Sequence, residues 1–397
     1  MKRNTKLHYD IDLNYLMAII IIMTLTFVMT LKQMGEMYSD ISVHARWAGA
    51  GRVDPTYAKF SSYPVWHLGV QLWANKLHLP LKYAAAVVTA GFSFLTTTAI
   101  YKVFKIHLDN KYPRCGVLLL TLAVSLLTTL YIPFADKSIF INYCGPNVWH
   151  NPTNMAVKSF AVFSFFLFYK IYDSYKNGCS EKKKRYFVIL SAVLLASCMV
   201  KPSFMQGFLP AVVIFLFVEL IVSKGKIFRF CLQAACVFLP SALFMLYQLL
   251  SVFTPDQEQS MQISFMEVIG SWSPHPWISI ILSVAFPLYV MLLFYKTLFK
   301  DKMLWLTFVY GLVSLAEAVL LVEINEPNSG NFCWAWQLAM GIMFISAAIR
   351  FYQTYSWKMN RIRGRVIWSI GTGLLFWHVC SGIYYYGRLL LTAAWYV

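Results

Sequence analysis

Runs of about twenty apolar residues recur along this chain, and Lys and Arg cluster at alternate ends of them. A helix needs about twenty such residues to cross hydrocarbon, and a chain in lipid must satisfy its backbone internally. The runs lie near 15–31, 82–104, 114–134, 155–175, 186–202, 206–223, 230–252, 277–299, 303–322, 333–352 and 366–387. The expected fold is therefore an all-α polytopic membrane protein of about 11 transmembrane helices. Composition agrees: 13% of residues are charged and 59% hydrophobic, where soluble domains carry roughly a quarter charged. No fixed-period repeat or low-complexity linker divides the chain, so residues 1–397 read as one transmembrane domain with no separate soluble domain. The basic start "MKRNTK" precedes an apolar run with no small-residue cleavage site, so the first span is expected to stay in place.

The net charge of +17 does not call for nucleic acid. Of 34 Lys and Arg, 24 sit in or beside "MKRNTK", "KIHLDNKYPR", "KNGCSEKKKR", "KGKIFR", "KDK" and "SWKMNRIRGR". These connectors alternate with the others, the positive-inside pattern. It predicts a cytoplasmic N-terminus and places the remaining connectors outside. The eight cysteines form no metal-ligand spacing. Cys144 and Cys333 fall in outer connectors, and a disulfide between them is left open.

The outer connectors carry mixed polar chemistry that topology does not require. The first, about 32–81, holds "SDISVHARWAGAGR" and an amphipathic helix expected at about 64–79, where Trp66, Val70, Trp73 and Leu77 recur at helical spacing. Asp40, with Glu36 four residues before and His44 four residues after, is a candidate base or cation ligand near the membrane surface. The plain alternative is a solvated loop. "NYCGPNVWHNPTNMAVKSFA" sets Trp149, His150 and Asn151 before a span and Lys158 about one turn inside it. Asn151–Asn154 also suit a turn and an N-cap. "SCMVKPSFMQ" leaves Lys201 on the outer side against the charge rule, where a lipid headgroup or a phosphorylated substrate would partner it. Glu317 stands inside the ninth span, a costly place for a carboxylate, with His378 as a candidate structural partner. Glu323, Glu326, Asn331 and Trp334 follow, and Trp beside amides and carboxylates suits a sugar. Walker, dinucleotide, zinc and GxSxG motifs are absent.

The order of these pieces resembles the GT-C class of integral membrane glycosyltransferases. A first span leads to an outer acidic residue, Asp40, then to "YPVWHLGVQLWANKLHLPLKYAAAVVTAGFSFLTTTAIYKVFK", similar to the juxtamembrane helix and next span of the lipid-phosphate-sugar-dependent members. The likeness is clearest over residues 1 to about 205, including "WHNPT", and continues beyond only as a pattern of spans. It implies a bacterial plasma-membrane enzyme that moves a sugar from a polyprenyl-phosphate or polyprenyl-pyrophosphate donor to a glycan or lipid-linked acceptor. Transfer would be extracytoplasmic and inverting, with Asp40 as base or as ligand of a divalent cation, Mg or Mn. Glu36 and His44 stand near enough in sequence to assist. The paired acids typical of the class would be Glu36 and Asp40 here, and their wider spacing leaves both metal use and the identity of the base open. Charge chemistry suggests Lys201, Arg46 and Lys158 for the donor phosphate. His150, Asn151, Trp149, Glu323, Glu326, Asn331 and Trp334 are the candidate substrate contacts. Two other readings stay open: a polymerase of lipid-linked polysaccharide repeats, and a flippase or transporter of a lipid-linked sugar.

Overall fold

The computed structural model describes residues 12–36, 39–50, 63–135, 145–178, 183–252, 261–324 and 330–392. Its first half runs α1 (Leu13–Glu36), α2 (Asp40–Ala50), α3 (Val65–Gln71, continued by a π-helical turn over Leu72–Lys76), α4 (Leu81–Leu108), α5 (Arg114–Leu126), α6 (Pro152–Lys176) and α7 (Lys183–Val200). The second half runs α8 (Ser203–Val222), α9 (Phe228–Val252), β1 (Met261–Ile263), α10 (Glu267–Trp272), α11 (Pro276–Ser283), α12 (Ala285–Leu293), α13 (Lys302–Leu320), β2 (Leu321–Glu323), α14 (Cys333–Thr354) and α15 (Ile362–Thr392). Among the described residues eight helices are long and apolar enough to cross a membrane, or nine if the bent pair α11–α12 is one span. The protein is an all-α integral membrane protein.

Three of the eleven expected spans take a different form. The run 114–134 is helical for only 13 residues, to Leu126. Its backbone is then satisfied from outside: Asn147 Nδ2 donates to the Val124 and Leu127 carbonyls at 2.9 and 2.7 Å. His378 Nδ1 lies 2.7 Å from the Thr128 carbonyl, and Ser381 Oγ accepts from Tyr131 N–H at 3.0 Å. Non-helical backbone at membrane depth survives only with such partners. His378 is thus engaged here rather than with Glu317. The run 277–299 bends by 68° between α11 and α12, and Phe286 N–H there points at His378 Nε2, 3.4 Å away. The run 186–202 is α7, whose first three residues are Lys183, Lys184 and Arg185, leaving a short apolar stretch.

α14 is the central post. Its spanning window is 94% buried, against 28% for α9 and α15, and Ala335, Ala339, Gly341, Ala347 and Ala348 let neighbouring helices approach. α13, α8, α12 and α4 pack around it. Large apolar side chains face outward on the outer helices, as a lipid-facing belt requires: Val188, Phe217 and Phe376 are 69, 62 and 68% exposed. In the first long connector the helix expected at 64–79 is shorter, α3 and its π-helical turn ending at Lys76, and Leu77, expected on its apolar face, is exposed. Trp66 and Val70 are buried, while Leu68 and Leu72 face out.

The two ends of the bundle differ in chemistry. At one end acids meet bases directly. Glu219 binds Lys302, with Lys176 4.0 Å away and Tyr172 donating at 2.5 Å; Asp12 pairs with Lys105 at 2.9 Å, and Asp301 with Arg350 at 3.1 Å. The other end gathers α2, α3, the start of α6, the α7–α8 break and the antiparallel β1–β2 pair, in which Met261 faces Glu323.

Candidate functional site

Asn151 organises that second end. It caps α6, its Oδ1 accepting from Asn154 N–H at 2.9 Å, as expected of Asn before Pro152 at the first helical position. The same oxygen accepts from Thr153 Oγ1 at 2.9 Å and from Lys201 Nζ at 3.0 Å. Its amide nitrogen donates to Asp40 Oδ2 at 2.8 Å. One buried amide therefore stands between a carboxylate and an ammonium, and Asp40 and Lys201 make no ion pair of their own. Asp40 is at this point because it opens α2, whose Ile41 N–H donates to the His150 carbonyl at 3.0 Å. Lys201 is there because α7 ends at Val200 and α8 begins at Ser203 around Pro202.

Aromatic rings enclose the pair. Lys201 Nζ lies 4.2 Å from the centre of the Trp334 ring, a cation–π distance. The His150 and Trp334 rings are 5.6 Å apart. Trp334 Nε1 donates to Asn331 Oδ1 at 3.3 Å, and Asn331 Nδ2 donates to Glu323 Oε2 at 2.9 Å. The β1–β2 edge is thereby tied to the cluster. Asn154 Nδ2 donates to Gln337 Oε1 at 3.2 Å, and Ser203 Oγ is 3.5 Å from Asn154 Oδ1. Behind Asp40, one turn along α2, His44 Nδ1 and His67 Nε2 are 2.9 Å apart, so one ring donates and the other accepts.

Electrostatics follow from burial. Burial pushes Lys201 down to about 7, and Asp40 opposes the shift. His150 falls to about 4, again through burial, with Asp40 raising it and Lys201 lowering it. His44 is lowered well below the ordinary histidine value by burial, then by His67 and Lys201. Burial lowers His67 to about 4. Tyr63 is pushed up to about 12 by burial and by the carboxylates of Asp40 and Glu323. The three histidines are neutral near pH 7.

Of the residues singled out from sequence, Asp40, His150, Asn151, Lys201, Trp334, Asn331 and Glu323 form one linked group. His44 borders it. Arg46 does not join: it is exposed, and six residues along α2 turn it about 240° from Asp40. Trp149 packs edge-on against Tyr386, ring centres 5.0 Å apart, within a cluster that includes Met29 and Leu389, and its carbonyl accepts from Gln33 of α1. Lys158 lies seven residues past Asn151 and binds the Pro146 carbonyl and Asn147, so it serves a different place. Glu36 closes α1; Glu326 and Cys144 lie outside the described residues. Tyr63 and His67 escaped the sequence reading. His67 left one trace, a polar residue beside Trp66 on what proves the buried face of α3.

The described residues do not assemble a divalent-cation site here. Among the described residues no three His, Cys, Asp or Glu side chains come together as a metal site. Asp40 already accepts from the Asn151 amide, whose oxygen in turn accepts from the Lys201 ammonium. No protein-family model matches the chain, and no curated protein matches it in sequence.

Proposed function

We propose that this protein is a GT-C-like glycosyltransferase that moves a sugar from a polyprenyl-phosphate-linked donor to a hydroxyl acceptor at the end of the bundle that carries Asp40. The observation that carries the proposal is the Asp40–Asn151–Lys201 bridge under Trp334. Displacement at a glycosyl carbon needs a base for the acceptor proton on one side and positive charge for the departing phosphate on the other. The acceptor oxygen bonds to the anomeric carbon as the carbon–oxygen bond to phosphate breaks. Asp40 takes the acceptor's proton, and the phosphate leaves with the electron pair towards Lys201. Asn151 keeps the two charges from collapsing on each other. Trp334, with Asn331 and Glu323 fixed beside it, offers the sugar an apolar face and polar partners. The scarcity of Lys and Arg in the connectors at this end supports an extracytoplasmic face in a plasma membrane.

The test uses protein reconstituted in lipid vesicles with a panel of polyprenyl-phosphate and polyprenyl-pyrophosphate hexoses, reading release of the lipid phosphate. Asp40→Asn should lose at least about 100-fold in turnover, the usual worth of a general base, with prenyl-phosphate binding kept. Lys201→Gln should weaken that binding. Wild-type turnover in Asp40→Asn, or no turnover with any donor, removes the proposal. One observation favours a second reading, flipping of a lipid-linked sugar: the interrupted segments after α5 and between α11 and α12 meet at His378, and transporters use broken helices. Scrambling of a fluorescent prenyl-phosphate sugar at full rate by Asp40→Asn would favour that reading.

A further inference from the structure

The β1–β2 pair carries an exposed apolar face. Residues directly opposite each other in such a pair share a face. Val322 is buried, so the face it shares with Gln262 packs inward, and Met261 and Ile263 turn away from the bundle. Ile263 is 81% exposed, Phe265 61% and Trp277 56%, and the Phe265 and Trp277 rings are 5.8 Å apart. No residue from Met261 to Met266 is charged. Trp277 continues this face into Ile278 and Ile281, exposed on α11, the first half of the bent apolar pair. Hydrogen bonds fix its depth. The Ser264 and Met266 N–H groups donate to the Leu320 and Val319 carbonyls at 2.9 and 2.7 Å, answering two of the carbonyls a helix end leaves open. Phe265, between them, therefore stands level with the last turn of α13, which is long and apolar enough to span. Beyond that turn Ile263 lies opposite Leu321, and Met261 lies opposite Glu323, the one carboxylate of the pair. In water these apolar side chains would stand unfavourably exposed. In hydrocarbon the outer edge of β1 would lack partners, because the sheet has two strands among the described residues. The headgroup boundary answers both needs.

We propose that the β1–β2 pair is a membrane-contact element whose partner is the lipid surface, with Phe265 and Trp277 against the acyl chains, Ile263 among the headgroups and Met261 nearest water. Glu323, on the second strand, holds Asn331 and through it Trp334, so the pair ties the Lys201 cluster to the level of that surface. The contact involves no bond-making step and needs neither Asp40 nor a donor, so it stands or falls apart from transfer.

The full chain, carrying a fluorescent amino acid in place of Phe217, Met261, Ile263 or Phe265, is reconstituted in phosphatidylcholine vesicles. It is quenched by phosphatidylcholine spin-labelled near the headgroup or deep in the chain, and by iodide on both sides of the bilayer. Phe217, on the lipid-facing side of α8, reports correct insertion through quenching by lipid rather than by iodide. Ile263 and Phe265 should be quenched at least about threefold more by the shallow lipid label than by iodide, as expected of an element lying in the interface. The ratio of lipid to iodide quenching should fall in the order Phe265, Ile263, Met261, and Asp40→Asn should leave all of it unchanged. In vesicles where Phe217 passes, three results overturn the proposal: iodide quenching Ile263 and Phe265 as strongly as the shallow label, which places the face in water; shielding from every quencher, which means a second copy covers it; or strongest quenching of Ile263 by the deep label.

Discussion

Replacing Asn151 with Ala removes four contacts through one side chain, and their separate contributions can be estimated. The α6 cap is worth about 1 kcal/mol. The bonds to Asp40 at 2.8 Å and from Lys201 at 3.0 Å are charge-assisted, each about 1.5–3 kcal/mol. Both charged partners are half-buried, so the low end applies. Lys201 also keeps its contact with the Trp334 ring. The expected loss is about 4 kcal/mol, from one cap and two charge-assisted bonds at that low end. Asn151→Ser separates the parts, because Ser caps a helix as well as Asn but is too short to reach Asp40 and Lys201 together. It should recover only about 1 kcal/mol, the worth of the cap. A cycle with Asp40→Asn should show coupling of about 1.5 kcal/mol, as expected of residues in contact. Unfolding in mixed micelles with increasing SDS, followed by circular dichroism, reads all of these variants. If Asn151→Ser restores full stability, the bridge contributes nothing and Asn151 is only a cap; that result would falsify the reasoning.

Three further outcomes follow from other parts of the structure. In the proposed function the Lys201 ammonium receives the donor phosphate, and burial holds Lys201 down at about 7, so prenyl-phosphate affinity should fall as pH rises through 7, while Lys201→Arg should hold its affinity to above about pH 9, because a guanidinium stays protonated there; parallel profiles for the two proteins would refute this. His67 and His150 are lowered to about 4 from an ordinary 6.5, so the fold excludes their protons: the stability they confer is present above pH 6.5 and is lost as pH falls towards 4, by about 2 kcal/mol each at pH 5, and equal SDS midpoints at pH 5 and 7.5 would contradict it. A Cβ at Gly382 would overlap the Leu126 carbonyl, backbone that cannot swing aside, whereas Gly373 has nothing within 4 Å; Gly382→Ala should cost roughly 3 kcal/mol or more and Gly373→Ala nothing, with similar midpoints for both refuting the packing of α15 on the end of α5.

Hydrophobic periodicity made the long spans legible because a twenty-residue apolar run has few alternatives in lipid. It misjudged 114–134 because composition cannot tell a helix from extended chain whose carbonyls are answered elsewhere, and 277–299 because composition cannot show a bend between two apolar helices. The partners that allow the break, Asn147 and His378, lie 20 and 250 residues from the groups they satisfy. The site was legible where a residue violated a local rule: Lys201 against the charge asymmetry, His150 beside Trp149 and Asn151, Asp40 just past a span. Arg46 and Lys158 had the right charge, but the helical turn of α2 and the depth along α6 send them elsewhere. Tyr63 breaks no rule in "FSSYP", and no local pattern announces that it feels the carboxylates of both Asp40 and Glu323.

The two ends of the bundle handle charge differently, and the contrast supports the proposed function. Glu219, Asp12 and Asp301 each touch a Lys or Arg directly: Asp12 lies 2.9 Å from Lys105, Asp301 3.1 Å from Arg350, and Glu219 holds Lys302 with no group between them. Attraction between charges falls with distance and is strong only where water is partly excluded, so a fold gains most from direct contact. At the other end a charged pair of the same kind is kept one amide apart, with neutral histidines and a Trp ring around it. Direct pairing of Asp40 with Lys201 would discharge both groups against each other. In the proposed transfer that separation leaves one group to accept a proton and the other to receive an anion.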